Sequence, residues 1–263
     1  MTYLSANGYS PKYVEDLKHY LDQYVTVINE PTDIMGIFSK VKRGRRHVWL
    51  ALRVLFNYLE ALGYNTDFLN VLRKALPSKA NGCGVDLNVP AEELMRESLS
   101  RLNKAPWKYQ VLYNLMVDSG LRLVEAVQLA SEFKAEDAER VSGGFYRVEI
   151  GSFRGTKQAF FGYFTEATFK LLTAAPLELL GTVPASRYYT KMHFVQAKYI
   201  RKFAFDKMIE LEIPESVADF IEGRVPKRVG AKHYMALRRQ ADNFYPKYMR
   251  YLADLRGGLK SGS

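Results

Sequence analysis

Residues 107–120 read WKYQVLYNLMVDSG and run directly into LRLVEAVQLA at 121–130. Apolar side chains recur at helical spacing through both segments, and Gly120 stands where the first must stop, because glycine takes the left-handed backbone of a helix C-cap at no steric cost. Two helices are therefore expected to meet at Gly120, with Arg122 at the head of the second and Glu125 one turn on, within ion-pair reach. Upstream, AEELMRESLSRL (91–102) has the same period. Downstream the texture changes. FYRVEIGS (145–152) and QAFFGYF (158–164) alternate and are rich in β-branched and aromatic residues, with Arg154-Gly155-Thr156 as turn material between them, so a hairpin is expected. After about Thr165 the pattern returns to helix. The expected fold class is mainly α, with a small antiparallel sheet.

Toward the N-terminus, Tyr13, Leu17, Tyr20, Leu21, Tyr24 and Ile28 recur at steps of three and four. His47 to Leu62 repeats this through Leu50, Val54, Tyr58 and Leu62. A helix over Thr66–Leu76 follows the Gly63-Tyr64-Asn65 break, and Ile34–Val41 reads as a shorter one. Pro77 to Pro90 then loses all periodicity among Pro77, Ser78, Asn81, Gly82, Gly84 and Asn88. This predicts a helical domain over 1–76, a linker over 77–90, a second domain over 91–256 and a disordered tail over 257–263.

Thirty-eight Lys and Arg against 28 Asp and Glu leave a formal charge of +10 on 263 residues, which points to an anionic partner, nucleic acid first. With 48% hydrophobic residues the chain is not disordered. One cysteine, Cys83, excludes an internal disulfide and a four-cysteine zinc site, and four histidines without ligand spacing leave no metal and no other cofactor expected. No apolar run approaches the roughly 20 residues that cross a bilayer. The start, MTYLSANGYS, lacks the apolar core of a signal peptide. A cytoplasmic protein with no membrane partner is expected. Lys40, Lys42, Arg43, Arg45 and Arg46 put five positive charges into seven residues where the longest N-terminal helix begins. They are candidate phosphate contacts, with a solvated charged loop as the alternative.

The run Asp118-Ser119-Gly120-Leu121-Arg122-Leu123-Val124-Glu125-Ala126-Val127-Gln128-Leu129 resembles the TGLR-x-x-E-x-x-x-L signature of the tyrosine recombinases, the phage-integrase-like enzymes. Further boxes of that family follow in order. Lys157 lies at the tip of the predicted hairpin, where the family places a mobile lysine, and Arg154 shares that tip. Lys198-Tyr199-Ile200-Arg201 occupies the place of the His-x-x-Arg box. Gly223-Arg224 takes the place of Gly-His, 23 residues after Arg201, and Tyr234 follows Arg224 by 10. Lysine and arginine in place of the two histidines resemble the integrases of spindle-shaped archaeal viruses and related integrative plasmids. The likeness covers the chain from about residue 91 onward. The N-terminal unit is similar to the family's core-binding domain only in size and texture.

The resemblance implies a C-shaped, two-domain clamp on double-stranded DNA that cuts and rejoins attachment sites through a 3′-phosphotyrosyl intermediate, integrating or excising a mobile element. Tyr234 would be the nucleophile. Arg122, Arg201 and Arg224 would hold the charge that builds on the phosphate, since planar guanidinium groups bind it bidentately. Lys157 would be the general acid, and Lys198 either the base or a phosphate clamp. Glu125 would orient the arginines. Such a protein is expected to be a monomer in solution and a tetramer on synapsed DNA. A type IB topoisomerase and a non-catalytic DNA-binding protein are the alternatives.

Beyond the candidate nucleophile, Met235–Leu255 carries a broad apolar stripe through Leu237, Ala241, Phe244, Tyr245, Tyr248, Tyr251, Leu252 and Leu255. The family offers docking on a neighbouring protomer for such a helix, and that is the expectation here, with Gly230 as a hinge and a kink or interruption at Pro246. Tyr245, Tyr248 and Tyr251 read as a packing face, each expected to tolerate phenylalanine.

Overall fold

The computed structural model describes residues 2–78, 86–154, 157–174, 181–224 and 234–257, and divides the chain into two compact units, Met1–Asp86 and Leu87–Ser263. It is mostly helical, with one three-stranded antiparallel sheet.

The first unit comprises α1 (Thr2–Ala6), α2 (Pro11–Tyr24), α3 (Pro31–Lys40), α4 (Arg45–Ala61) and α5 (Thr66–Ala75). Local chemistry sets these limits. Ser10 caps α2 by accepting the Tyr13 N–H, and Asn65 caps α5 by accepting that of Phe68. Proline at the first position of α2 and α3 loses no hydrogen bond there. Ile34, Val48, Leu52, Phe56, Leu69 and Leu72 form the core. Two expectations need correction. The first long helix ends at Tyr24, which leaves Ile28 outside it. In α4 the buried face runs through Val48, Leu52 and Phe56, whereas Tyr58 and Leu62 are exposed. That helix is apolar on several sides, so periodicity alone could not choose the face.

The second unit holds α6 (Glu92–Leu102), α7 (Trp107–Ser119) and α8 (Leu123–Glu132), a single 3-10 turn (Ala135–Asp137), and strands β1 (Glu139–Val141), β2 (Phe145–Arg154) and β3 (Lys157–Thr165). Helices α9 (Glu166–Thr173), α10 (Thr182–Lys191), α11 (Ala197–Glu210), α12 (Glu215–Ile221) and α13 (Tyr234–Gly257) follow. The sheet order is β1-β2-β3. β2 and β3 form the expected hairpin, paired from Phe145 with Thr165 down to Arg154 with Lys157, with a register shift between Glu149 and Ser152. Neither the 3-10 turn nor β1 was expected from the sequence. Helix α7 is buried nearly all round from Val111 to Ser119, as a central helix must be.

Helix α13 corrects the largest expectation. Of its stripe, Leu237, Ala241, Tyr245, Tyr248, Leu252 and Leu255 are buried in the core of its own unit, and Phe244 and Tyr251 are half-buried against it. Polar contacts fasten it there. Tyr248 and Tyr245 donate to the carbonyls of Val117 and Asp118 at 2.8 and 2.9 Å. The Asp118 carboxylate accepts from Arg256 at 2.5 Å and also from Thr165 and Thr168. Asp242 pairs with the buried Arg147 of β2. This helix therefore packs its main apolar face on its own domain, not on a neighbour. It also runs unbroken through Pro246. Gly257 belongs to it, whereas residues 258–263 of the expected tail lie outside the described residues, as do Cys83, Gly155, Thr156 and Gly230.

Candidate active site

Three residues separate α7 from α8, and their backbone builds one wall of the site. Gly120 caps α7 with φ +66° and donates its N–H to Met116 O at 2.8 Å. The Ser119 hydroxyl donates to Leu115 O and accepts the Leu121 N–H. Arg122 then stands at the N-cap of α8, where Glu125 accepts its backbone N–H at 2.9 Å and its guanidinium at 2.6 Å. Glu125 thus sits beneath Arg122, paired with both its backbone and its guanidinium.

The opposite wall is the end of α12. Gly223, at φ +72°, directs its carbonyl to Arg122 Nη1 at 3.0 Å. Any side chain on Gly223 would begin 2.6 Å from Cβ of Ala159 in β3, and one on Gly120 would begin 2.7 Å from Glu222 Oε1. Both glycines are therefore required twice, by backbone conformation and by close approach. Arg201, from the first turns of α11, reaches between the walls. Its Nη1 donates to Gly120 O at 2.8 Å and to Glu222 O at 2.5 Å, and lies 3.9 Å from Glu125. Arg224 lies beside it, with Nε 3.1 Å from Glu222 Oε2, Nη1 3.3 Å from Asp219 and its guanidinium over the Phe205 ring.

The structure thus brings Arg122 and Glu125, Arg201, and Arg224 together from three places in the sequence. Arg201 is the buried member, while Arg122 and Arg224 keep 24% and 38% of their side chains exposed, so the cluster opens to solvent on one side. Burial pulls the Arg201 guanidinium down to about 10, Glu222 works against that shift, and the charges of Arg122 and Arg224 add to it. It remains protonated at neutral pH. Its Nη2 is buried with no hydrogen-bond partner among the described residues.

Lys157 opens β3, two residues before the Ala159 that abuts Gly223, and Tyr234 opens α13. Their side chains lie outside the described residues, as does His233. Lys198 sits at the start of α11, exposed, with its ammonium 5.1 Å from the Tyr199 ring centroid. In the first unit Lys40, Lys42, Arg43, Arg45 and Arg46 are all exposed around the α3–α4 junction. Arg45 is anchored through Phe38, donating to its carbonyl at 2.8 Å and covering its ring. No group of three or more His, Cys, Asp or Glu among the described residues could hold a metal, and no described helix is long and apolar enough to cross a membrane.

Two site residues escaped the sequence reading. Glu222 immediately precedes the Gly223-Arg224 pair, and Asp219 lies one turn earlier. Carboxylates flanking an arginine of this kind carry no spacing signal. The only available hint was an acidic residue at the end of an otherwise apolar helix, ESVADFIEG.

A family model for archaeal phage integrases matches residues 87–251, and the chain belongs to that family. This agrees with the tyrosine-recombinase resemblance carried by Arg122, Arg201 and Gly223-Arg224. Among solved structures, the integrase from mycobacterium phage Brujita is similar, at 14% identity over 94% of this chain and 89% of that one, with a TM-score of 0.44. A XerA recombinase is similar at 13% identity over 96% of this chain and 94% of that one, with a TM-score of 0.37. No curated protein sequence matches.

Proposed function

We propose that this protein is a site-specific DNA recombinase that cuts and rejoins duplex attachment sites through a 3′-phosphotyrosyl intermediate, with Tyr234 as nucleophile. The observation that carries the proposal is the guanidinium cluster: three arginines converge, and the most buried one keeps Nη2 unpartnered. A buried donor without a partner costs roughly 1–3 kcal/mol, and a phosphate oxygen would relieve that cost. Arg122, Arg201 and Arg224 would stabilise the charge that grows on the nonbridging oxygens as the Tyr234 oxygen bonds to phosphorus and the bond to the 5′ oxygen breaks. Lys157 would give its proton to the departing 5′ oxygen. Lys198 would take the tyrosine proton or clamp the phosphate. Glu125 serves as the carboxylate that holds Arg122. The family assignment supports recombination as the biology, on double-stranded DNA, with a monomer assembling to a tetramer on synapsed sites.

A nicked suicide substrate tests the chemistry, because loss of the short strand prevents religation and traps the covalent complex. Adduct formation that persists in excess EDTA and strand exchange between two duplexes are expected. Relaxation of supercoils without exchange would indicate a topoisomerase, and binding without an adduct a non-catalytic DNA-binding protein.

The basic cluster at the α3–α4 junction gives a separate prediction. Neutralising Lys42, Arg43, Arg45 and Arg46 together should weaken binding to all sequences alike. Each lost phosphate contact should flatten the log–log salt dependence by roughly 0.9. Anisotropy titrations across a salt series measure this slope, and an unchanged slope would return the cluster to a solvated loop.

A further inference from the structure

Glu222 has no part in the chemistry above. Its side chain is completely buried. Its carboxylate lies against two guanidinium groups, with Oε2 3.1 Å from Arg224 Nε and 3.5 Å from Arg201 Nε, while its own backbone carbonyl accepts Arg201 Nη1. Neither carboxylate oxygen receives a well-directed hydrogen bond among the described residues. The contact is one of charge and packing, and Gly120 leaves the space for it, since Oε1 lies where a side chain at 120 would begin.

We propose that Glu222 is a positioning residue, whose carboxylate holds the Arg201 and Arg224 guanidinium groups in register for the scissile phosphate. This rests on the recombinase reading above. The two arginines arrive on different elements, α11 and the residues after α12, and Glu222 is the carboxylate that both touch. Glu125 pairs chiefly with Arg122 and lies 3.9 Å from Arg201, and Asp219 reaches Arg224.

Burial is the main cause of a shift that pushes Glu222 up to about 7, against the pull of Arg201, Arg224 and Arg122 and with the push of Asp219. An acid raised in this way stabilises the fold fully only below its unfolded value, near 4.5, and that contribution is lost as pH rises through 7. Burial thus disfavours the ionised form, while its charge offsets the burial of the Arg201 guanidinium, so an uncharged isostere removes one cost and exposes the other. Its titration is felt by the groups that face it: Arg201 on α11, Arg122 at the head of α8, Asp219 and Arg224 around α12, and Tyr248 on α13. Only the ionised form can hold two cations, so cleavage should slow as pH falls below about 7.

The test compares wild type, Glu222→Gln and Glu222→Asp in single-turnover adduct formation on the nicked substrate across a pH series, with half-site affinity and thermal melting alongside. Glu222→Gln is expected to melt cooperatively at pH 8 and to bind the half-site equally well. It should cleave on the order of 10²-fold more slowly, the penalty of a misplaced catalytic group, and lose the fall in rate on acidification. Glu222→Asp should regain part of the rate together with that pH dependence. A Gln variant with wild-type rate and profile overturns the positioning role. If the Gln variant does not fold, the Asp variant and the wild type decide: a wild-type rate indifferent to pH around 7 overturns the proposal. Failure of the wild type to form any adduct is a different result, which removes the recombinase reading and this proposal with it.

Discussion

Replacing Arg201 by lysine is expected to lower the rate of covalent adduct formation by about 10²- to 10³-fold while half-site binding changes little. Removal of one preorganised donor from a site of developing negative charge typically has an effect of that order. The reason lies in the geometry of one guanidinium. Nη1 is committed to the carbonyls of Gly120 and Glu222, and so fastens the α7–α8 turn to the end of α12, while Nη2 has no partner among the described residues and on the proposed reading would take the phosphate. A lysine ammonium places its donors on a single atom and cannot span those directions. It would also leave buried carbonyls short of a donor, at roughly 1–3 kcal/mol each, so a lower melting temperature should accompany the lost rate. Single-turnover kinetics beside thermal melts separate the two effects. A lysine variant within a few-fold of the wild-type rate would show that Arg201 is a structural brace only.

Truncation after Arg239 is expected to unfold the second unit. Tyr245, Tyr248, Leu252 and Leu255 are all completely buried and all lost, together with the Arg256 pairing to Asp118. At roughly 1.5–3 kcal/mol for each large apolar side chain, the loss is on the order of 10 kcal/mol, comparable with the whole stability of a domain. Circular dichroism and melting of the truncated protein measure it. A cooperatively folded product that still binds a half-site but no longer assembles would restore the idea of docking on a neighbour. The same contacts revise the expected tolerance of Tyr245→Phe and Tyr248→Phe. Each removes a buried hydroxyl donor and should cost about 1 kcal/mol of stability, with adduct formation retained.

The parts of the fold legible in the sequence are those with a local cause. Gly120, Ser10 and Asn65 mark helix ends because capping acts over three or four residues, and the alternation in 145–152 and 158–164 marks the hairpin because a strand has a period of two. The helix–turn–helix around Gly120 was read together with its Arg122–Glu125 pair, again a local contact. The placement of α13 was not legible. Its stripe states that something covers the helix, but only the Tyr245, Tyr248 and Arg256 contacts to α7, more than a hundred residues away, say what. Glu222 was missed for the same reason, since it becomes part of the site only when α7, α11 and α12 are brought together.

The reading of this chain as a DNA strand-transferase comes down to one oxygen atom. Trapping on a nicked suicide substrate, followed by proteolysis and mass spectrometry of the DNA-linked peptide, identifies the residue that carries the phosphate. The expected result is a 3′-phosphate on Tyr234, with Tyr234→Phe abolishing the adduct and leaving DNA affinity nearly intact, since only the phenolic oxygen is lost. An adduct mapped to another residue, or formed at wild-type yield by Tyr234→Phe, would contradict it.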